Sequence, residues 1–225
     1  MSGGFPVDLI LFAMVAAFLV LRLRSVLGRR TGFERPPRDG AAPYDPRASR
    51  PMGDEVPELP PAAAASTTRL VVPDPRTPTG QALVRIKGID PSFDPHAFLA
   101  GAEGAFRMVV DAFAQGDRET LRALLADDVY GGFEGAITAR EQAGETQRSE
   151  VRAMQEAGIE SADLRGTVAD VVVRFVSDQI NLTTASDGSI SAGAEAVTEL
   201  TDIWTFQRDL RSSDPTWRLT ATRSA

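Results

Sequence analysis

Side chains able to move protons or hold metals near neutral pH are scarce in this chain. His96 is its one histidine, Lys87 its one lysine, and it has no cysteine. Without thiols, disulfides, thiolate nucleophiles and thiolate metal sites are excluded together. Asp127 and Asp128 are adjacent carboxylates at the end of a helical stretch, where neighbouring positions point apart rather than converge on one substrate atom. His96 falls in a first helical turn, a capping or surface position. No Gly-rich phosphate loop, metal-ligand spacing or nucleophile elbow is present. Acid–base catalysis needs groups tuned near the working pH, so this inventory predicts a binding protein with no catalytic residue, no cofactor and no metal.

The charge is uneven. The 225 residues carry a net −7, yet between positions 22 and 50 eight arginines face only Glu34, Asp39 and Asp45, a local +5 that leaves −12 for the remainder. A basic collar beside an apolar run suits anionic lipid headgroups; nucleic-acid binding would need basic charge on the folded part, and that part is acidic. The run covers positions 9–21, with Leu9, Ile10, Leu11, Phe12, Val15, Phe18, Leu19 and Leu21 as its apolar body. Phe5, Val7 and Leu23 lengthen it toward the ~20 residues that span a bilayer, and Arg22 and Arg24 can snorkel. A secretory signal would carry basic charge before the run and a small-residue cleavage site after it; here arginine follows. Residues 1–24 are therefore expected to be an uncleaved single-pass inner-membrane anchor with its start outside. Arg22, Arg24, Arg29 and Arg30 hold the cytoplasmic side. Residues 25–82, basic and then rich in Pro, Ala and Arg, contain little that could offset ordering entropy and are expected to be a flexible linker.

Residues 83–225 hold the patterned sequence. After an amphipathic piece at 83–89, Asp94 and Pro95 are a helix start. Phe98, Ala102, Ala105, Phe106, Val109 and Phe113 then recur as one apolar stripe ending at Gly116. A second short helix is expected over 118–125, closed by Asp127, Asp128, Val129 and Tyr130. A third is expected over 133–143, with Phe133 and Ile137 inward and Arg140, Glu141 and Gln142 solvated. The period then changes to two. A modest strand is expected at 150–157 and a stronger one at 162–181, where Val171, Val173 and Phe175 oppose Val172, Arg174 and Val176. Residues 185–188 form a turn with Gly188 free to take positive φ. A strand at 195–208 follows, with Trp204 and Phe206 on its greasier face. After the turn chemistry of Ser212, Ser213, Asp214 and Pro215, a final strand carries Trp217. Because this hairpin bears both tryptophans, it is expected at the centre of the sheet. Helices followed by antiparallel strands make an α+β order, helices covering one face of a curved sheet.

The run Asp202-Ile203-Trp204-Thr205-Phe206-Gln207-Arg208, then Ser213-Asp214-Pro215-Thr216-Trp217, resembles the Tim-forty-four-like family. That family comprises the C-terminal domain of the import-motor tether of the mitochondrial inner-membrane translocase and its bacterial membrane-anchored relatives. Asp128-Val129-Tyr130 and the segment from Phe133 to Glu141 are similar to it as well, as is the opening helix followed by Leu23-Arg24-Ser25-Val26-Leu27-Gly28-Arg29-Arg30. The resemblance implies a nuclear-transport-factor-two-like cone with an apolar hollow, here lined by Phe106, Tyr130, Phe133, Asp202, Trp204, Phe206 and Trp217. Tyr130 and Asp202 are the polar groups such a hollow could use. It also implies a non-enzymatic adaptor that binds as yet unidentified protein partners at the membrane, in protein translocation or envelope assembly. The segment through which the mitochondrial relative recruits its chaperone corresponds here to the Pro-rich linker and shows no match. Two other readings stay open: a lipid-binding or small-molecule-binding module using the hollow or the arm at 83–93, and a small-molecule enzyme of the cone fold.

Overall fold

The computed structural model describes residues 68–225; the expected anchor, its basic flank and most of the linker lie outside them. The described residues include elements upstream of Leu83, where the folded part was expected to start. A three-residue strand, β1 (Arg69–Val71), precedes helix α1 (Pro78–Ile89). Thr77 starts α1 by accepting the Gly80 N–H at 3.0 Å through its hydroxyl, and Pro78 takes the first helical position, where its missing N–H costs nothing. Leu83 and Ile86 face inward from α1, and Phe93 beyond it is buried too. The 83–93 stretch is thus part of the core rather than a free arm, because its apolar positions repeat at helical spacing.

Helix α2 (Pro95–Gln115) follows the expected signals: Asp94 accepts the Ala97 N–H at 2.8 Å, and Gly116 ends the helix at φ 74°. Its buried stripe is Leu99, Ala102, Phe106, Val109 and Ala112, with Phe98 and Phe113 at the margins. Asp117 caps α3 (Arg118–Leu124) through the N–H groups of Glu119 and Thr120, each at 3.1 Å. Asp127 and Asp128 do not close α3. They open α4 (Asp127–Gln142), where two carboxylates in the first turn complement the helix dipole although Ala126 supplies no side-chain cap. Arg140 is not solvated either: it donates to the carbonyls of Phe113 at 2.9 Å and Ala114 at 3.2 Å, satisfying the C-terminal end of α2. Arg118 grips both Glu141 oxygens at 2.9 and 2.8 Å and so ties α3 to α4.

One sheet carries the remainder in the order β1-β2-β3-β4-β5, with β2 (Thr146–Arg165), β3 (Val168–Thr184), β4 (Ile190–Asp209) and β5 (Arg218–Ser224). β1 joins β2 in parallel; every other pairing is antiparallel. The tryptophan hairpin is not the centre of this sheet. β3 is, and the short β5 forms an edge. The strand expected at 162–181 divides at Gly166 (φ 64°): residues 162–165 end β2, and β3 begins at Val168. Irregularities in β2 near Arg152, Gln155 and Glu160 bend it and reset its alternation. In β4, residues 195–197 stand opposite Ile180 alone, and Ala196 and Thr198 beside this irregularity are exposed. Beyond that bulge the alternation holds, with Trp204 and Phe206 buried toward the helices. The core lies between α1–α4 and the inner face of the sheet, around Phe106, Phe175, Val171, Val173, Leu121 and Leu219.

Candidate functional site

The residues with chemical potential do not converge. His96, Asp127 and Asp128 are exposed at helix starts, and Lys87 is exposed in the last turn of α1. Tyr130 is buried on α4; its hydroxyl donates to Glu134 Oε1 at 3.0 Å, and the Arg122 guanidinium sits 4.1 Å over its ring. Asp202 belongs to a different group at the inner face of β3 and β4. Its Oδ1 accepts from the Ser224 hydroxyl at 3.1 Å and its Oδ2 from Gln179 Nε2 at 3.3 Å; Gln179 also donates to Ser177 Oγ at 2.9 Å. Burial pushes the Asp202 carboxyl above the ordinary carboxylate range, and the Ser224 and Gln179 donors pull it partly back. Among the described residues no three His, Asp or Glu side chains gather where one cation could touch them.

The candidate lining residues fall into three groups. Phe106 lies 4.6 Å from Trp204 and 4.7 Å from Phe175, ring centroid to centroid; Trp204 is 6.2 Å from Phe206. Phe206 and Trp217 are joined through Phe98, at 6.0 and 4.9 Å, and Phe93 stands 5.9 Å from Trp217. These rings form a continuous aromatic layer between α2 and the sheet. Phe133 instead stacks edge-on to Phe113 at 5.1 Å, between α2 and α4, beside Tyr130 on the same helix. Asp202 ends the row in the polar cluster just described.

Two open hollows lie away from these rings. A groove of about 500 Å³ runs between α2 and β2, and a cleft of about 220 Å³ lies where β4 turns into β5 beside Ala126. Arg208 lines the second. Its Nη1 donates to Asp90 Oδ2 at 3.0 Å, both side chains being largely buried, while its Nε meets no acceptor among the described residues. Asp90 is held below the usual carboxylate range first by the Ser92 hydroxyl and then by the Ser92 N–H and Arg208. This pair was not anticipated. An arginine on the same face as Trp204 and Phe206 was its one signal, because a charge among apolar neighbours requires a counter-ion; the partner lies 118 residues away. Ser177 and Gln179 were hidden likewise, continuing the inward register of Val171, Val173 and Phe175.

Four helices on one face of a mostly antiparallel five-stranded sheet, with a layer of aromatic rings between them, define an α+β domain. Residues 79–224 match the family model of the Tim44-like domain, so the chain belongs to that family. No curated protein matches it. Among solved structures it is similar to the intermembrane space region of the chloroplast protein ARC6, at 14% identity over 56% of this chain and 94% of that one, with a TM-score of 0.42. It is also similar to a conserved protein from Planctomyces limnophilus DSM 3776, at 18% identity over 58% of this chain and 99% of that one, with a TM-score of 0.36.

Proposed function

We infer that the protein is a membrane-tethered, non-enzymatic adaptor. Its Tim44-like domain, read as a nuclear-transport-factor-two-like cone, is held at the cytoplasmic face of the inner membrane by residues 1–24. Arg22, Arg24, Arg29 and Arg30 lie against anionic headgroups, the linker gives the domain reach, and the domain binds proteins engaged in translocation or envelope assembly. The observation that carries this reading is the family match over 79–224 in a chain that opens with an apolar run and a basic collar. The scatter of acid–base candidates supports it: His96, Lys87, Tyr130 and Asp202 have separate surroundings, and none of them lines the α2–β2 groove or the cleft between β4 and β5. Tethering raises the local concentration of the domain at membrane partners and strengthens weak contacts without adding new ones.

The test is to compare the intact protein with a variant lacking residues 4–23, each cross-linked in cells and recovered by affinity capture. The intact protein is expected in the membrane fraction with a defined set of envelope proteins. The deletion variant is expected to be soluble, folded and stripped of that set. Intact protein found in the soluble fraction, or partner capture unaffected by the deletion, would overturn the tethered-adaptor reading.

A further inference from the structure

β5 covers only part of its neighbour. Its pairs with β4 run from Asp202 opposite Ser224 to Gln207 opposite Arg218, so among the described residues the outer edge of β4 before Thr201 has no strand partner. Residues 193–199 are exposed there, Val197 at 57%. The last contact along this edge is the Thr201 carbonyl, which accepts the Ala225 N–H at 3.0 Å. Backbone groups alternate in direction along a strand, and the pairing of 199–201 with 176–178 is regular. The N–H and C=O of Glu199 therefore point out from the sheet as those of Thr201 do, and no strand among the described residues meets them. Its side chain is unmatched as well. Asp178 on β3 stands directly opposite Glu199, on the sheet face away from the helices, and like charges so placed destabilise a sheet. Gln155 donates to Asp178 at 2.7 Å but brings no charge. The arginines of this face are engaged elsewhere, Arg148 with Glu150 and Glu195, Arg174 with Glu156, and Arg223 with Glu160. Leu200, on the helix side, is half-buried.

We propose that the edge of β4 at 197–200 takes an extended segment of a protein partner, running antiparallel to β4 in line with β5 and setting an arginine or lysine beside Glu199. Strand addition supplies the backbone partners that Glu199 lacks, and alternate side chains then give the choice of sequence. The residue opposite Glu199 exchanges both backbone bonds with it and turns its side chain to the outer face, where a cation completes the row begun by Asp178 and Glu199. The next residue turns to the inner face beside Leu200 and is apolar. An acidic strand, or the same edge of a second copy with its own Glu195 and Glu199, would add carboxylates to this edge and is rejected by charge. The irregularity at 195–197 limits the regular ladder to a short stretch. The contact is therefore weak by itself, the kind that tethering strengthens. The proposal rests on the adaptor reading in taking the ligand to be a protein.

The probes are short peptides capped at both ends, one alternating arginine with valine, one alternating glutamate with valine, and a third in which the arginine peptide is N-methylated at its arginines, the residues whose N–H groups would meet Glu199. With the full-length protein in neutral detergent, the arginine peptide is expected to slow hydrogen exchange over 197–201. It is also expected to bind at least about tenfold more tightly than either of the others, as charge pairs and edge bonds are both lost in one or the other. Glu199→Lys, at an exposed position, is expected to reverse the preference in favour of the glutamate peptide. Equal binding of the two unmodified peptides, full binding by the methylated one, an unchanged preference in Glu199→Lys, or protection confined to other strands would each overturn the proposal. Self-association of the protein that Glu199→Lys abolishes would overturn it too, by giving the edge to a second copy. None of these readouts depends on membrane attachment or on capture of cellular proteins, so failure here and failure of the adaptor reading are separable.

Discussion

The Phe106 ring on α2 lies 4.6 Å from the Trp204 ring on β4, both in contact with Phe175 on the central strand. Three elements brought together from distant parts of the chain thus share one contact. Removing either outer ring opens a cavity that the third cannot close. Trp204→Ala and Phe106→Ala are each expected to cost about 3–5 kcal/mol, with the double variant losing less than the sum because the two share a cavity. Urea denaturation of the three variants measures this; a near-neutral Trp204→Ala would place that ring outside the core.

Asp90 and Arg208 fasten the α1–α2 connection to β4. Asp90→Ala leaves a largely buried guanidinium without its counter-ion, at an expected cost of roughly 1–3 kcal/mol. Adding Arg208→Met should recover part of that loss, since an apolar side chain needs no partner. The pH dependence has a definite sign. Asp90 has a lowered folded-state pKa, so its contribution is full above the ordinary carboxylate pKa and is lost as pH falls through the folded value. Thermal melts of both variants from pH 7 to pH 3 test both statements.

Asp202 has the opposite sign. Its folded-state pKa is raised, chiefly by burial. Its contribution is therefore most favourable below the ordinary carboxylate pKa and is lost as pH rises through the folded value. Above the folded-state pKa the ionised, buried carboxylate is a burden on stability, and there Asp202→Asn is expected to leave the melting temperature unchanged or raise it, an advantage that shrinks as pH falls below that value. An amide oxygen can still accept from Ser224 or Gln179. A folded Asp202→Asn protein that has lost its cellular function would instead make this carboxylate a working group.

Gly193 in β4 takes φ +81°, and an added Cβ would lie 2.1 Å from the Asn181 carbonyl oxygen. Gly193→Ala is expected to cost at least about 1–3 kcal/mol, the usual scale of forced backbone strain. The loss should appear as faster hydrogen exchange at 181–184 and 190–194. Unchanged exchange would show that the β3–β4 end tolerates a different register.

What could be read from residues alone was what local chemistry specifies. Helix α2 was legible because Asp94, Pro95 and Gly116 punctuate a clear 3.6-residue stripe, and β3 because Val171, Val173 and Phe175 alternate without a break. The start of α4 was not, since Ala126 gives no capping signal and Gly131 and Gly132 weaken the helical pattern. The length of β2 was hidden by its bulges, each of which flips the polar side of the pattern. β1 is three residues long and exists only through its pairing with β2, some 87 positions on. Within the candidate site, the aromatic members of the Trp204 face were visible as a set. The separation of Tyr130 and Phe133 from them, and the Asp90–Arg208 pair, follow from helix packing that no local spacing encodes.

The central claim is that the domain works by being held at a membrane, with no side chain turning over a substrate. Deleting residues 4–23 tests it most directly, scored together by membrane fractionation, by thermal unfolding of the domain, and by rescue of whatever defect loss of the gene causes. The account predicts a soluble protein that unfolds as the intact one does and fails to rescue. A soluble, folded deletion variant that rescues fully would contradict it.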